Sequence, residues 1–231
     1  MPPSISKYKL YLYLFFFIFL SSILNFQILE DYQDKFRLKN IIINGLSHNE
    51  KKDIQIELNK LKNVNIFHLK EDKVLEKLTN FNFLENIYVN KILPSSININ
   101  ILKTSILGKT IIKGNKFYIG KNGNFINAKL LPEQNNLASV YGDFQIEEYL
   151  SLIKLLKKQG IDKTNIKEYY YYKNKRWDLL FSNNLTLMLP SKNEEESIKI
   201  YKKLLDNNNL ININIIDLRV SNQIILTNNN E

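Results

Sequence analysis

The chain has 231 residues, no cysteine, two histidines and a formal net charge of +9. A thiol nucleophile is therefore excluded, and a zinc-finger or iron–sulfur site is not expected. A basic protein can favour anionic lipid or an acidic partner, but a coding bias towards A and T, which enriches Lys, Asn and Ile, gives the same charge. Beyond the first residues there is room for one medium domain or two small ones.

The stretch from Leu10 to Leu29 contains no charged residue. As a helix it would measure about 30 Å, the thickness of a bilayer's hydrocarbon core. Lys7 and Lys9 precede it, so the positive-inside rule places residues 1–9 in the cytoplasm and the body on the far side. The alternative is a cleaved signal peptide ending near Ser21–Ser22, although the apolar run continues beyond them. We predict an uncleaved single-pass transmembrane helix over 10–29, and nucleic acid is not an expected partner of the exported body.

Residues 36–104 have the pattern of a small α+β domain. Ser47 and Glu50 have the S-x-x-E spacing of a helix capping box, and isoleucines alternate with polar residues after position 96, as in a half-buried strand. The predicted elements are a strand over Phe36–Ile43, helices beginning at Ser47 and Asp72, and strands over Phe83–Asn90 and Ile97–Leu102. Because an antiparallel hairpin closes the unit and the helices cover one sheet face, the order is that of a POTRA domain.

Residues 105–227 have a second pattern, of short strands with two helices. Gly120–Gly123 and Asn183–Asn184 are predicted turns, and apolar spacing after Ile146 and after Glu194 predicts the helices. The predicted strands are Thr110–Ile112, Lys116–Ile119, Asn124–Ala128, Tyr169–Tyr172, Trp177–Phe181, Leu185–Leu189, Ile213–Val220 and Gln223–Thr227. Residues 228–231 are expected to be a flexible tail. The fold class is therefore α+β, with one N-terminal transmembrane helix, a POTRA domain and a β-rich domain.

The sequence contains no catalytic, cofactor-binding or metal-binding constellation. His48 and His68 are 20 positions apart, and neither has an acid or a nucleophile at a meaningful spacing. Glu194–Glu196 favour a helix start rather than a catalytic carboxylate pair, and Gly120–Gly123 lacks the Lys–Ser/Thr and helix of a phosphate loop. We predict that the protein is not an enzyme and has no cofactor and no small-molecule substrate.

The last predicted strand is the best candidate for a binding site. No later strand of the sequence covers Gln223, Ile224, Ile225 and Leu226. Exposed strand edges are normally blunted with Lys, Pro or bulges, which these residues lack. We predict that a partner segment adds a strand here, so that main-chain hydrogen bonds supply the affinity. The alternative is that this strand is internal or frayed.

Two residues of an earlier strand are further candidate contacts. Arg176 can form a bidentate salt bridge with an acidic side chain of the partner, or it is a solvated surface arginine. Trp177 can be a hot spot of the interface, although tryptophan is more often a core residue. Asp217 and Arg219 share a strand face and are expected to pair structurally.

Several motifs, in order, resemble those of the FtsQ (DivIB) family of bacterial cell-division proteins. They are Ile41, Ile43 and Gly45 for I-x-V-x-G, the Asn65–Leu69 and Val89–Pro94 elements, Lys175–Arg176–Trp177, and the final Asp217–Leu218–Arg219. Their order and spacing cover nearly the whole chain. The sequence departs from the family where Lys103–Ile106 replaces Glu–Arg–x–Pro, and near Gly120–Lys121, where the family has Asp.

The resemblance implies a non-enzymatic divisome scaffold in the inner membrane of a Gram-negative-like bacterium, with a cytoplasmic N-terminus and a periplasmic body at the septum. It implies that the β domain receives FtsB, which works with FtsL, and that FtsK and the septal wall synthase are further partners. The POTRA segments Ile41–Gly45 and Val89–Ile101 would offer a second docking surface. One alternative is a membrane-tethered envelope enzyme. The other is an outer-membrane assembly factor with a POTRA domain, and such a factor would need a cleaved signal peptide and a barrel of many strands.

Overall fold

A computed structural model of the chain describes residues 6–22, 33–207, 210, 212–220 and 222–228. Helix α1, Lys7–Ser22, overlaps the first part of the predicted membrane span. Within the described ranges, no helix is both long enough and apolar enough to cross a bilayer. Residues 23–29 of the predicted span lie outside the described residues, as do 229–231 of the predicted tail, so the anchor stays a prediction.

The chain divides into two compact units. The first combines Met1–Asn80 with Asn86–Ile101, and the second combines Phe81–Glu85 with Leu102–Glu231. The short Phe81–Glu85 segment belongs to the second unit because it bonds there. Its Phe83 carbonyl accepts the Thr104 N–H at 2.9 Å, and its Asn82 carbonyl accepts the Asn122 side-chain amide at 2.9 Å.

The first unit has the predicted order of strand, helix, helix, strand, strand. Its elements are β1 (Asn40–Asn44), α2 (His48–Asn59), α3 (Glu71–Leu78), β2 (Leu84–Ile92) and β3 (Ser96–Lys103). The sheet order is β1-β3-β2. β1 runs parallel to β3, with Ile41 opposite Ile97 and Ile43 opposite Ile99.

The first strand begins four residues later than predicted. Leu38 donates its backbone N–H to the Val64 carbonyl at 2.9 Å, and Ile66 donates to the Phe36 carbonyl at 2.9 Å. Residues 36–38 therefore pair with the segment after α2, and the sheet pairing starts only at Asn40.

Alternation along β3 decides which face of this sheet is covered. Ile97 and Ile99 are fully buried, as is Leu58 of α2, because apolar side chains on one face of a strand pack under the helices. The predicted capping box is present: the Ser47 N–H donates to Glu50 Oε2 at 2.8 Å. It fixes the start of α2 directly after the turn that ends β1.

The second unit, as far as the structure describes it, is a mixed nine-stranded sheet with two helices. The strands are β4 (Ile106–Ile112), β5 (Asn115–Gly120), β6 (Phe125–Asn127), β7 (Ser139–Tyr141), β8 (Ile166–Tyr171), β9 (Trp177–Phe181), β10 (Thr186–Met188), β11 (Ile213–Asp217) and β12 (Ile225–Asn228), and the helices are α4 (Ile146–Lys158) and α5 (Glu194–Asp206). The order is β12-β11-β10-β9-β8-β7-β4-β5-β6. The predicted α+β class with a β-rich second part is confirmed.

Strand registers place alternate residues on two faces of this sheet. The inner row, packed with α4 and α5 in one core, comprises Val140, Tyr169, Leu179, Leu187 and Ile216. The next row points the other way and comprises Tyr141, Tyr170, Asp178, Met188 and Asp217. We call the face of this second row the outer face.

Candidate partner-binding edge

β12 lies at one end of the nine-stranded order. It runs antiparallel to β11, with Leu226 opposite Ile216 and Ile225 opposite Asp217. No other strand of the described chain pairs with it. Ile225 and Leu226 are 48% and 43% exposed. Unpaired N–H and C=O groups therefore line the far side of β12, beside two exposed apolar side chains.

The edge strand is shorter at its start than predicted. Gln223 and Ile224 lie in the link before β12, because the Gln223 N–H donates to the Val220 carbonyl at 3.2 Å and Asn222 has a φ of 63°, which together form a turn. Ile224 is 47% exposed and lines a groove between this link and the start of α5. These two residues flank the edge strand and do not belong to it.

An ion pair ends the strand that precedes the edge. Arg219 donates through Nε to Asp217 Oδ1 at 2.8 Å and through Nη2 to Oδ2 at 2.6 Å, and its backbone N–H donates to Oδ1 at 3.0 Å. Hydrogen bonds from Arg219 lower the pKa of Asp217, and the same pairing raises the pKa of Arg219. The backbone contact forms an Asx turn, so β11 ends at Asp217 instead of at the predicted Val220.

Arg176 and Asp178 form a looser pair at the start of β9. Arg176 Nε and Asp178 Oδ1 are 3.6 Å apart, which is too far for a hydrogen bond, and neither atom has a hydrogen-bond partner in the described part of the chain. The guanidinium lies 4.3 Å from the centroid of the Tyr172 ring, a cation–π contact. Burial raises the pKa of Asp178, while Arg176 opposes that shift. With 20% of its side chain exposed, Arg176 is partly buried and not fully solvated.

The two aspartates should therefore give opposite pH dependences. The lowered pKa of Asp217 stabilises the fold above its ordinary value of 3.8, and this contribution is lost as pH falls through the folded pKa. The raised pKa of Asp178 means that its ionised form costs stability, a cost that disappears as pH falls through the folded pKa. We expect D217N to be destabilised relative to the parent at neutral pH, less so in acid. D178N should gain stability relative to the parent as pH rises above about 4. Urea unfolding across this pH range measures the free energy of unfolding of each variant relative to the parent. If both relative free energies change in the same direction with pH, the assignment is contradicted.

The sheet order keeps Arg176 away from the edge. β9 is three strands from β12, so a strand added beyond β12 would lie four spacings, about 19 Å, from it. Cross-strand side chains interact over much shorter distances. Arg219 lies two residues beyond the end of β11, and β11 is two spacings, about 10 Å, from such a strand. Sequence reasoning gave Arg219 only a structural role, because the predicted strand ran past it to Val220; its place in the penultimate predicted strand, next to the edge, was the available signal.

Trp177, named as a candidate contact, is a core residue, which is the alternative that the sequence favoured over an interface hot spot. It is 2% exposed, and its ring centroid lies 4.7 Å from that of Tyr171 and 5.8 Å from that of Phe144. Neighbours along a strand point to opposite faces. Because Arg176 lies with Asp178 on the outer side, Trp177 points into the core under α4.

One pair of carboxyl groups has shifted pKa values for structural reasons. Burial and the charge of Glu148 raise the pKa of Glu194, whereas the Tyr171 hydroxyl, which donates to Glu148 Oε1 at 2.6 Å, lowers the pKa of Glu148. Both residues lie in the first turn of a helix, where the helix dipole favours carboxylates. Glu148 also accepts the Gln145 N–H at 2.9 Å. Among the described residues, no group of three or more His, Asp or Glu could hold a metal ion.

Two family models match the chain. The FtsQ-type POTRA domain matches residues 36–103, and the C-terminal domain of cell division protein FtsQ/DivIB matches residues 111–219. Together the two matches cover most of the chain after residue 35 and leave out residues 1–35, 104–110 and 220–231.

Two related proteins belong to the same family as these models. The chain is 28% identical over 196 residues to the cell division protein FtsQ of Rickettsia bellii (strain RML369-C), and 29% identical over 192 residues to that of Rickettsia typhi (strain ATCC VR-144 / Wilmington). Each alignment covers 81% of this chain and 71% of the relative. The solved major extracytoplasmic domain of DivIB from Geobacillus stearothermophilus covers 46% of this chain and 98% of its own, with 11% identity and a TM-score of 0.30, too low to compare the folds.

Proposed function

The chain belongs to the FtsQ/DivIB family of cell division proteins, and from this premise we propose that it is a non-enzymatic scaffold of the divisome. Its β-rich unit binds FtsB together with FtsL, and the scaffold supports assembly of the septum. FtsK and the septal wall synthase are further partners. The observation that carries the proposal is the open side of β12.

Strand addition gives the partner its place. A partner segment pairs with residues 225–228 and extends the nine-stranded sheet by one strand, which satisfies the backbone groups on the open side of β12. Alternation then offers it two surfaces: Leu226 continues the inner row of Ile216, and Ile225 continues the outer row of Asp217. Gln223 and Ile224 contact the partner where it leaves the strand, beside the groove at the start of α5.

Two arginines serve different parts of the partner. Arg219 is anchored on Asp217 and lies near enough to the added strand to meet a carboxylate on it. Arg176 lies on the outer side of β9, four strand spacings away, so it serves a partner segment that leaves the strand and crosses the outer face. Both arginines would bind carboxylates, so we expect the partner to be rich in Asp or Glu near the segment that pairs with β12.

The membrane anchor completes the proposal. Residues 10–29 span the inner membrane once, residues 1–9 remain in the cytoplasm, and the POTRA domain and the β-rich domain lie in the periplasm at the division septum. The uncharged stretch behind Lys7 and Lys9 supports this orientation, and the helical conformation of Lys7–Ser22 supports the first part of the span.

The edge is tested by blocking it. The Leu218 N–H donates to the Met188 carbonyl of β10, so Asp217 turns its backbone groups to Ile225, and Leu226 turns its own to the open side. We expect L226P, which removes a main-chain donor on the open side, and I225K, which puts a charge on the edge, each to weaken capture of FtsB from the same genome by about tenfold or more, since several backbone hydrogen bonds of about 1 kcal/mol are lost. The measurement is a pull-down from detergent micelles with the full-length protein, quantified over a titration of FtsB.

The matched control is I111K. Ile111 is exposed and lies on β4 of the same sheet, several strands from β12, so the same charge is added away from the edge. Thermal melts of all three variants show whether the unit remains folded. Unchanged capture by both L226P and I225K, or an equal loss in I111K, would defeat the edge proposal.

A further inference from the structure

The first unit has an exposed sheet face of unusual chemistry. The outward positions of β1, β2 and β3 hold six asparagines: Asn40, Asn44, Asn86, Asn90, Asn98 and Asn100. Ile43, Ile97 and Ile99, which alternate with them, point to the helices and are buried. We call the outward surface of these three strands within the first unit the amide face.

The amide face carries no charged residue at its described positions. Besides the asparagines it holds Ile42, Tyr88, Ile92 and Ser96, whereas 24% of the chain is charged, so about two charges would be expected in ten positions. A coding bias towards A and T does not explain this, because it enriches Lys as strongly as Asn. Lys91 of β2 does not belong to this face. It lies on the helix side of the sheet, where it lines a groove with Val74 of α3.

The asparagines of β1 and β3 are held in place by hydrogen bonds within this face. The Asn44 side-chain amide donates to Asn98 Oδ1 at 2.8 Å and to Asn100 Oδ1 at 3.0 Å. At the other end of β1, the Asn40 amide donates to Ser96 Oγ at 3.4 Å. Fixed side chains lose little conformational entropy when a ligand binds, so the array is preorganised.

Tyr88 adds an apolar surface next to the amides. Its side chain stands on β2 between Asn86 and Asn90 and is 55% exposed, and Ile42 on β1 is 47% exposed. A tyrosine ring of this kind offers an apolar face and a polar tip to the same ligand. The combination of amides and one exposed ring therefore faces solvent over three strands.

We propose that the amide face binds an uncharged glycan bearing hydroxyl and N-acetyl groups. Each asparagine amide donates and accepts at once, which matches hydroxyl and acetamido groups, while the Tyr88 ring packs on the apolar C–H side of a sugar. An acidic or basic polymer gains no ion pair on this face. A partner strand would use the edge of the sheet and not its face. This site lies on the first unit and goes beyond the scaffold function of the second.

The test uses the full-length protein in detergent micelles and chitin, a polymer of N-acetylglucosamine, as the insoluble probe. We expect the protein to co-sediment with chitin, and N98K, which puts a charge in the middle of the face, to reduce the bound fraction at least fivefold. Soluble N-acetylglucosamine tetramer should compete. Binding should be the same in low and in high salt, because no ion pair contributes to it.

The matched control is N80K, which adds the same charge to the same unit directly after α3, the helix on the other side of the sheet. N80K should sediment like the parent, and both variants should capture FtsB like the parent, which separates this result from the edge proposal. The inference is overturned if the parent does not bind chitin, if N98K binds as well as N80K, or if salt removes the binding. It is also overturned if crosslinking through Asn98 captures only a protein.

Discussion

Replacing Trp177 by alanine is expected to lower the free energy of unfolding by about 3–5 kcal/mol, the range for removing a large buried aromatic side chain. Trp177 is 2% exposed and packs on Tyr171, Phe144 and Tyr149 at centroid distances of 4.7, 5.8 and 6.0 Å. The cavity would open where β8, β9 and α4 meet, and the neighbouring rings, which are fixed on β8, on α4 and in the link before α4, cannot all move in to fill it. Urea unfolding followed by circular dichroism measures the loss.

Tyr172 supplies the control for this prediction. It precedes Arg176 in a tight turn, is 40% exposed and packs on the Arg176 guanidinium at the surface. Its hydroxyl also donates a hydrogen bond to the Asp178 carboxylate, so Tyr172→Ala should cost about 1–2 kcal/mol, still well below the loss in W177A. If Trp177 were an interface hot spot instead, W177A would keep its stability and lose FtsB. A W177A variant as stable as Y172A would contradict the core assignment.

The elements with a clear period were predictable from the sequence. Alternating isoleucines gave β3, the S-x-x-E spacing gave the start of α2, and the apolar spacing after Ile146 gave α4, because these signals come from residues close in the chain. For Trp177 and Arg176, the two-residue alternation of strand side chains could have been applied but was not. Since strand neighbours alternate between faces, both could not lie on one surface, and the aromatic one was the better core residue.

The order of the strands was not predictable, because it depends on pairings between distant residues. β7 joins β4 to β8, with Ser139 opposite both Lys109 and Glu168, and no local pattern announces this. The same order decides that β12 is an edge and that Arg176 is remote from it. The candidate residues could thus be named from the sequence, but whether they belong to one contact required the fold.

The ends of β11 and β12 were misplaced for a local reason. The predicted strands ran through Val220 and began at Gln223, since both stretches are rich in β-branched residues. Side-chain chemistry overrode that preference: Asp217 accepts the Arg219 N–H and so ends the strand in an Asx turn. An Asp two positions before an Arg at the end of a strand is therefore a signal for a stop.

Replacing Gly45 by alanine is expected to destabilise the first unit by about 2–5 kcal/mol. Gly45 has a φ of 90°, and a Cβ built on it would lie 1.9 Å from the Ile101 carbonyl oxygen, so the change combines a left-handed backbone cost of about 1–2 kcal/mol with a backbone shift of about 1–3 kcal/mol. The glycine of the I-x-V-x-G motif thus has a physical reason: it lets the chain leave β1 against the end of β3. Thermal and urea unfolding of the full chain measure the loss.

Gly114→Ala separates the two costs. Gly114 also has a positive φ, 78°, but a Cβ there would meet no atom within 4 Å, so only the backbone cost of about 1–2 kcal/mol applies. The excess loss in G45A over G114A then measures the close approach to Ile101. If the two variants lose the same free energy, the contact with β3 does not explain the glycine, and the turn at the end of β1 requires Gly45 for its dihedral angles alone.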